Sequence, residues 1–317
     1  MNPNNPQTTN YNSGRWFWGI FISLILIVLL FVGISFLFLA KSISTSDRYY
    51  EQSGKGSGKV AVVDLDYTIL SSESIVRQFK KYGEDKSIKG IILRVNTPGG
   101  GVAASQEIYE IIKNTRDAGK PVIVSISSLG ASGGYYAACG GSIIVADPGS
   151  LVGSIGVIIN LMNFKDLAEK IGVSQTIIKS GELKDAGNPL REINEKDKEY
   201  FQSIVDDSFD QFLEVVEKER KIDKEKLKEY ATGRVFTGRQ GKEIGLVDSL
   251  GTYEDALRIA ARMSEIEGEP AIVKERERLS LVERILDGFS NNEIKSIKEE
   301  LKSEFINQPL LQYKFEY

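Results

Sequence analysis

From Lys59 onward, short runs of apolar, β-branched residues alternate with segments in which apolar positions recur every three or four residues. The runs KVAVVDLDYTI (59–69), KGIILRVN (89–96), PVIVSISS (121–128), SIIVADP (142–148) and VSQTIIKS (173–180) predict strands, being rich in Val and Ile and bounded by Gly or Pro. Between them, SIVRQFKKYG (74–83), VAASQEIYEIIKNTRDAG (102–119) and FKDLAEKIG (164–172) have helical spacing; in the second, Ile108, Ile111 and Ile112 share a face. Such alternation argues for α/β layers. A long helix is predicted from about Glu195 to Arg220. Phe201, Ile204, Val205, Phe209, Phe212, Leu213 and Val216 line one side of it, a stripe suited to core or subunit contact rather than to a ligand. A further helix, Tyr253 to Met263, precedes a short strand near Ala271.

Two regions break the pattern. Trp16 to Ala40 is a run of 25 residues without a charge. As a helix it would be about 37 Å long, against a hydrocarbon core about 30 Å thick. It is longer than the apolar region of a secretory signal and ends in no clear small-x-small site, so it reads as an uncleaved transmembrane anchor, taken with Arg15 as residues 15–40. Residues 1–14 are polar and rich in Asn and Pro, as in a disordered tail, and the linker 41–58 runs into the linker-like EQSGKGSGK (51–59). The folded domain is therefore expected over 59–275. Residues 276–317 are strongly charged and expected to be a partly helical, mobile tail ending in NQPLLQYKFEY.

Charge and composition narrow the functions. A net charge of −4 over 317 residues gives no basic footprint for nucleic acid. The single cysteine, Cys139, excludes an intrachain disulfide. Arg15 faces Lys41, Arg48, Lys55 and Lys59 across the apolar run, and a positive-inside count would leave the main domain in the cytoplasm. That count is weak, because Asp47 and Glu51 accompany those positives and long domains translocate largely regardless of charge.

The sequence contains no histidine, which removes the Ser-His-Asp arrangement, any Cys-His pair and any His-ligated metal site. A serine nucleophile is then left to a lysine that works in its neutral form, a recognised variant of the triad logic. Ser132, in GASGGYYAA (130–138), is the candidate: it stands among small residues between a predicted strand and a helix, a place that equally suits an N-cap. A second glycine-rich turn, NTPGGG (96–101), also follows a strand and leads into a helix, and it lacks the Lys-Ser/Thr ending of a P-loop. Two such turns on adjacent strands can aim backbone N–H groups at one spot, as an oxyanion hole requires. No serine has a lysine three positions later, so the base must come from elsewhere in the fold.

LRVNTPGG (93–100), GASGGYYAA (130–138), ADPGSLVGSIGV (146–157), KSGELKDAGNP (179–189) and GRVFTGRQGKEIGLVDSLG (233–251) resemble, in order and spacing, the signal peptide peptidase A family of membrane-bound Ser-Lys proteases. The resemblance covers residues 59–265. It implies a Clp protease/crotonase-like fold of stacked β-β-α units, with Ser132 as nucleophile and Lys184, 52 positions later, as general base. Ser154 matches a serine that orients the lysine, Gly99 matches an oxyanion-hole glycine, and Gly133 is a second candidate donor. Asp185 is expected to point away from the lysine beside it. No cofactor or metal is implied. The implied activity is a membrane-anchored endopeptidase that degrades cleaved signal peptides and other small hydrophobic peptides, with its domain on the extracytoplasmic side. The implied assembly is a ring-like homo-oligomer in which serine and lysine of one site can come from different subunits. A crotonase-like acyl-CoA enzyme and an inactive membrane scaffold are the alternatives. LLQYKFEY (310–317) is also extended and apolar enough to enter a peptide groove, as an internal inhibitor or a site of self-trimming.

Overall fold

The structure, a computed structural model, describes residues 18, 20–31, 48–54, 56–277 and 311–315. The chain divides into two units, residues 1–49 with 276–296 and residues 50–275 with 297–317. In the first, residues 20–31 are helical (α1) with exposed side chains. The remainder of the expected anchor and the polar tail lie outside the described residues, and among the described residues no helix is long and apolar enough to cross a membrane.

The second unit carries the alternation read from the sequence. After β1 (Arg48–Ser53) come β2 (Lys59–Asp66), α2 (Glu73–Glu84), β3 (Ile88–Thr97), β4 (Gly99–Gly101), α3 (Val102–Asp117), β5 (Val122–Ala131) and α4 (Gly133–Ala138). They are followed by β6 (Ile143–Ala146), β7 (Leu151–Gly153), β8 (Ile158–Ile159), α5 (Lys165–Lys170), a 3-10 turn over Glu182–Asp185 and α6 (Glu195–Arg220). Last come α7 (Lys224–Tyr230), β9 (Val235–Thr237), α8 (Gly238–Glu243), β10 (Ser249–Leu250), α9 (Tyr253–Met263), β11 (Ala271–Glu277) and β12 (Leu311–Lys314). The linker composition around residues 48–53 therefore did not prevent a strand there.

The main sheet runs β1-β11-β2-β3-β5-β6-β10, with β7 alongside β5 and β9 alongside β7. From β11 to β10 each strand of this order is parallel to the next, as is β7 to β5. A parallel sheet needs cover on both faces, and the strand sequences supply it. Ala61, Val63, Leu65, Ile91, Leu93, Val95, Val122, Val124 and Ile126 enter one core with residues of α2, α3, α4 and α6. The intervening Val60, Val62, Ile92 and Ile123 pack with Ala256 and Ala260 of α9. The period-two alternation of the strands thus divides their side chains between two cores. Fully burying one Ile or Leu contributes about 2 kcal/mol.

α6 begins where the sequence predicts. Asn194 and Asp197 form a capping box, each side chain accepting from the other's backbone N–H. VSQTIIKS departs from expectation: residues 173–179 form no strand, and Ile177 and Ile178 are 38% and 97% exposed. Its composition favours pairing, but it pairs with none of the described strands. The charged segment 278–310, where helix was expected, lies outside the described residues. The tail beyond it is not loose throughout: residues 311–314 are the middle strand of a three-stranded sheet, β4-β12-β8.

Candidate active site

β5 and β7 end side by side. Ala131 is the register partner of Gly153, so Ser132 and Ser154 follow in step on neighbouring parallel strands. Both have φ of 52°, left-handed backbone that a non-glycine residue adopts at a cost of about 1–3 kcal/mol. The surroundings hold Ser132 there: its N–H donates to the Gly153 carbonyl at 2.7 Å, and its carbonyl accepts from Tyr136 N–H at 2.8 Å. The serine thus sits between a strand and α4 on a sharp turn. Its side chain does not cap the helix. It is 1% exposed, and its Oγ has no hydrogen-bond partner. A buried hydroxyl without a partner costs about 1–3 kcal/mol, so its retention calls for a use.

Gly99, Gly100 and Gly101 face this turn. Ile69 N–H donates to the Gly99 carbonyl and Gly101 N–H to the Ile69 carbonyl, both at 2.8 Å. In that parallel bridge Gly100 turns its own N–H and carbonyl to the other side, where Tyr313 of β12 is its register partner. Gly99, at φ 98°, directs its N–H to the Thr97 hydroxyl at 3.1 Å. The oxyanion donor expected at Gly99 is therefore engaged within its own turn, and the donor facing the groove is the next residue. What Gly99 supplies is room: a Cβ there would stand 2.1 Å from the Tyr313 carbonyl oxygen and 2.6 Å from Gly133 N. Gly133 likewise admits Ser105, whose Oγ would be 2.4 Å from a Cβ at that position.

Ser154 is 4% exposed and spends its hydroxyl on the Gly233 carbonyl at 3.1 Å. Lys184 lies in the 3-10 turn and is exposed; its Nζ makes no hydrogen bond or ion pair among the described residues. Within one chain, then, the lysine is bonded to neither serine. Asp185 points away from it, as expected. Its carboxylate accepts from Lys179 Nζ at 2.6 Å and from Arg191 Nε at 3.0 Å, and those two bonds, Lys179 first, hold its pKa down at about 2. Arg191 in turn reaches Asp197 of the α6 capping box at 2.5 Å. The lysine-bearing turn is thereby tied to the start of α6.

Sequence reasoning missed Thr97, whose buried hydroxyl fixes the glycine turn, donating also to the Tyr67 carbonyl. It also missed Gly100 as the groove-facing donor, and Tyr136, which stacks on Tyr313 beside the site. Phe212, assigned to a core stripe, touches the same Tyr313 ring at 4.7 Å between centroids. Cys139 is removed as a rival nucleophile: it is free and buried, and desolvation pushes its thiol up to about 12. Among the described residues no group of acidic, Cys or His side chains could hold a metal ion.

Comparison with known proteins adds the context. The pattern of "Peptidase family S49" matches residues 114–267. A protein of Synechocystis sp. named "Putative protease" is 40% identical over 210 residues, 66% of this chain and 76% of that protein. "Protease 4" of Haemophilus influenzae is 35% identical over 216 residues, 65% of this chain and 35% of that protein. "Serine protease SPPA, chloroplastic" of Arabidopsis thaliana is 33% identical over 198 residues, 62% of this chain and 29% of that protein. The chain thus spans about a third of the length of the two larger proteases.

Proposed function

The chain belongs to peptidase family S49, the signal peptide peptidase A family of serine-type peptidases, and from that premise we propose that it cleaves peptides with Ser132 as nucleophile and Lys184 as general base. The observation that carries this reading is the Ser132 hydroxyl, buried, unpartnered and held on a left-handed turn beside the glycine strand. The neutral amine of Lys184 takes the Ser132 proton as Oγ attacks a peptide carbonyl. N–H groups of Gly100 and Gly133 receive the oxyanion, with Gly99 as the bare wall that lets the carbonyl approach. The protonated lysine then gives its proton to the leaving amine, and water releases the acyl group by the same steps. Ser154 exchanges its bond to Gly233 for one to the arriving lysine, and so orients it. The fold that this chemistry fits is the Clp protease/crotonase-like stack of β-β-α units.

We place the lysine of each site in a neighbouring subunit of a ring-like homo-oligomer. Among the described residues of one chain, neither Ser132 Oγ nor Lys184 Nζ has a partner. The lysine segment is also flanked by exposed Met162, Phe164, Leu167, Ile171, Val173 and Ile178, an apolar set that a second copy would cover. The run 16–40 serves as a single-pass membrane anchor with the domain on the extracytoplasmic side, near hydrophobic remnants such as cleaved signal peptides. Mixing Ser132→Ala with Lys184→Ala protein tests the arrangement. Each variant alone should be inactive, whereas subunits exchanged between them should regain about a quarter of the wild-type sites if dyads are shared. A mixture that forms hybrid oligomers and stays inactive would overturn the shared site. Failure of a fluorophosphonate to label Ser132 in wild type would overturn the peptidase reading and return weight to acyl-CoA chemistry or a scaffold.

A further inference from the structure

Three neighbouring strands, β5, β7 and β9, set a cation at the edge of the serine pair. Ala131 is level with Gly153 and Gly153 with Val235, so Ser132, Ser154 and Arg234 follow one another across adjacent strand ends. The antiparallel register continues one step beyond β9. Ser154 N–H donates to the Arg234 carbonyl at 2.9 Å, and the Ser154 hydroxyl donates to the preceding carbonyl, that of Gly233, at 3.1 Å. Residues opposed in such a pair carry Cβ atoms about 5 Å apart, which leaves an arginine guanidinium within about 10 Å of the Ser154 hydroxyl.

The guanidinium is held in place without being neutralised. It lies 4.7 Å from the centre of the Phe236 ring and 5.9 Å from that of Tyr230, in the corner formed by two perpendicular rings. Aromatic faces attract a cation and fix its position, but they leave its charge intact. Among the described residues Arg234 has no ion pair, and its guanidinium makes one long hydrogen bond, from Nη2 to the Glu229 carbonyl at 3.5 Å. Arg191 and Arg220, by contrast, are each locked to carboxylates.

Around the two serines the chain is otherwise uncharged. β4, β5, α4, β7 and β9, with residues 155–157, contain no Asp, Glu, Lys or Arg. The charged residues that border them are Arg234, Glu229 near the end of α7, and Lys314 of β12, opposite Gly99. On the lysine turn, Glu182 pairs with Lys196 at 2.8 Å, and Asp185 pairs with Lys179 and Arg191. The carboxylates beside Lys184 are therefore already engaged.

We propose that Arg234 is a positioning residue that acts by charge: its guanidinium keeps the partner subunit's Lys184 in the neutral form that can take the proton of Ser132. The inference rests on the peptidase reading and names the group that tunes its base. A lysine becomes a usable base when it is desolvated or when another cation stands beside it. Lys184 is exposed in a single chain, so its own turn leaves it in water. The serine edge supplies both conditions once two copies meet: the buried Ser154 hydroxyl to receive the amine, and a fixed positive charge to disfavour its protonated form. Across about 10 Å, at an effective dielectric constant of about 20, that repulsion is equivalent to about one pH unit. Arg234 itself stays charged throughout. The proton still passes from Ser132 Oγ to the Lys184 nitrogen and then to the leaving amine.

The test is the rate at which a fluorophosphonate labels Ser132 in the assembled full-length protein, followed by mass spectrometry as a function of pH. This readout follows activation of the serine and is independent of peptide preference. Arg234→Met keeps an apolar stem against Phe236 and loses the charge. It should move the midpoint of the rising limb up by about one pH unit and slow labelling at pH 7 roughly tenfold, with most of that loss regained at alkaline pH. Arg234→Lys, which keeps the charge, should hold the midpoint near that of wild type. Raising salt from about 0.05 to 0.5 M should move the wild-type midpoint upward, and by more than that of Arg234→Met. An unmoved midpoint in an Arg234→Met protein that still labels overturns the tuning and leaves the peptidase reading standing. So does a loss by one constant factor at every pH, which would make Arg234 a packing residue. The salt response of wild type needs no variant, and a midpoint indifferent to salt overturns the proposal by itself. A wild-type Ser132 that does not label, or a Lys184→Ala protein that labels with the wild-type pH profile, overturns the Ser-Lys reading and the tuning with it.

Discussion

The serine turn and the lysine turn are fixed by opposite means. Residues 130–140 are buried throughout, and Ser132 is held by a strand end, a neighbouring strand and the first turn of a helix. The segment from Lys179 to Arg191 has exposed and half-buried residues and no strand partner, and it owes its shape to ion pairs among Lys179, Asp185, Arg191 and Asp197. Ion pairs near a surface add little stability one by one, but a network that fixes the planar Arg191 guanidinium between two largely buried carboxylates defines direction. One half of the chemistry is thus finished inside a single chain. The other half is aimed and waits for a surface. Under the proposed assignment, the contrast would account for a strained, unpartnered serine and an exposed lysine in the same fold: the core carries the strain at Ser132, and a second copy would take Lys184 out of water.

The most severe way to test the finished half is to fill the space it keeps empty. Gly99→Ala forces a Cβ into the position 2.1 Å from the Tyr313 carbonyl oxygen, at a φ of 98° that alanine resists. Displacing the carbonyl from its donors should lower kcat/KM by about 100- to 1,000-fold, the usual cost of losing oxyanion stabilisation. The same change should expel the tail, so Tyr136 fluorescence and protease susceptibility near residue 311 should both change. A variant with near-normal turnover would show that this wall is not where the reacting carbonyl lies.

What the sequence allowed one to read divides along the same line. β2, β3 and β5 are legible because residues buried on both faces leave an unbroken Val/Ile pattern, and α6 because a capping pair precedes a helical stripe. Ser132 stood out by its small neighbours, but its left-handed φ depends on Gly153 and Tyr136, which sequence spacing does not bring together. Lys184 was reached by family resemblance, because an exposed lysine on a turn carries no local mark of a base. The direction of the Gly99 N–H was not legible, since it depends on a Thr97 hydroxyl that is itself fixed by the Tyr67 carbonyl. VSQTIIKS reads as a strand because β-propensity reports a taste for pairing and cannot supply the partner. The tail failed in the opposite sense: four residues are too few for a period, and only the empty slot between β4 and β8 makes them a strand.

The unfinished half should be sensitive where the finished half is not. Ile178 is 97% exposed, so Ile178→Asp should leave the melting temperature of the isolated chain within about a degree of wild type. If that apolar set is covered by a second copy, an aspartate there buries an unpaired charge in the contact and should shift the oligomer towards monomer, with activity at low protein concentration falling about 10- to 100-fold. Analytical ultracentrifugation alongside the assay checks both. Full activity in a stably monomeric variant would mean that one chain completes its own site, and the contrast between the two regions would dissolve.

The smallest effect expected comes from loosening the aim of the lysine without touching it. Arg191→Ala removes the bridge between Asp185 and Asp197 and should lower kcat about 3- to 10-fold with little change in KM, since the groove is unaltered. Its pH behaviour separates aiming from charge tuning. The Asp185 carboxylate is held at about 2 by Lys179 and then Arg191, below an unfolded value of about 3.9. A depressed carboxylate contributes its stabilisation above the unfolded value and loses it as pH falls toward the folded one. The network is therefore fully charged from about pH 5 upward, through the neutral to alkaline range where an amine base operates. Asp185→Asn should accordingly lower the pH–rate curve by a constant factor without moving the midpoint of its rising limb. A displaced midpoint would show that Asp185 and the base feel each other's charge in the assembled enzyme, and the carboxylate would then have to be counted as part of the proton-transfer machinery rather than of the frame that points it.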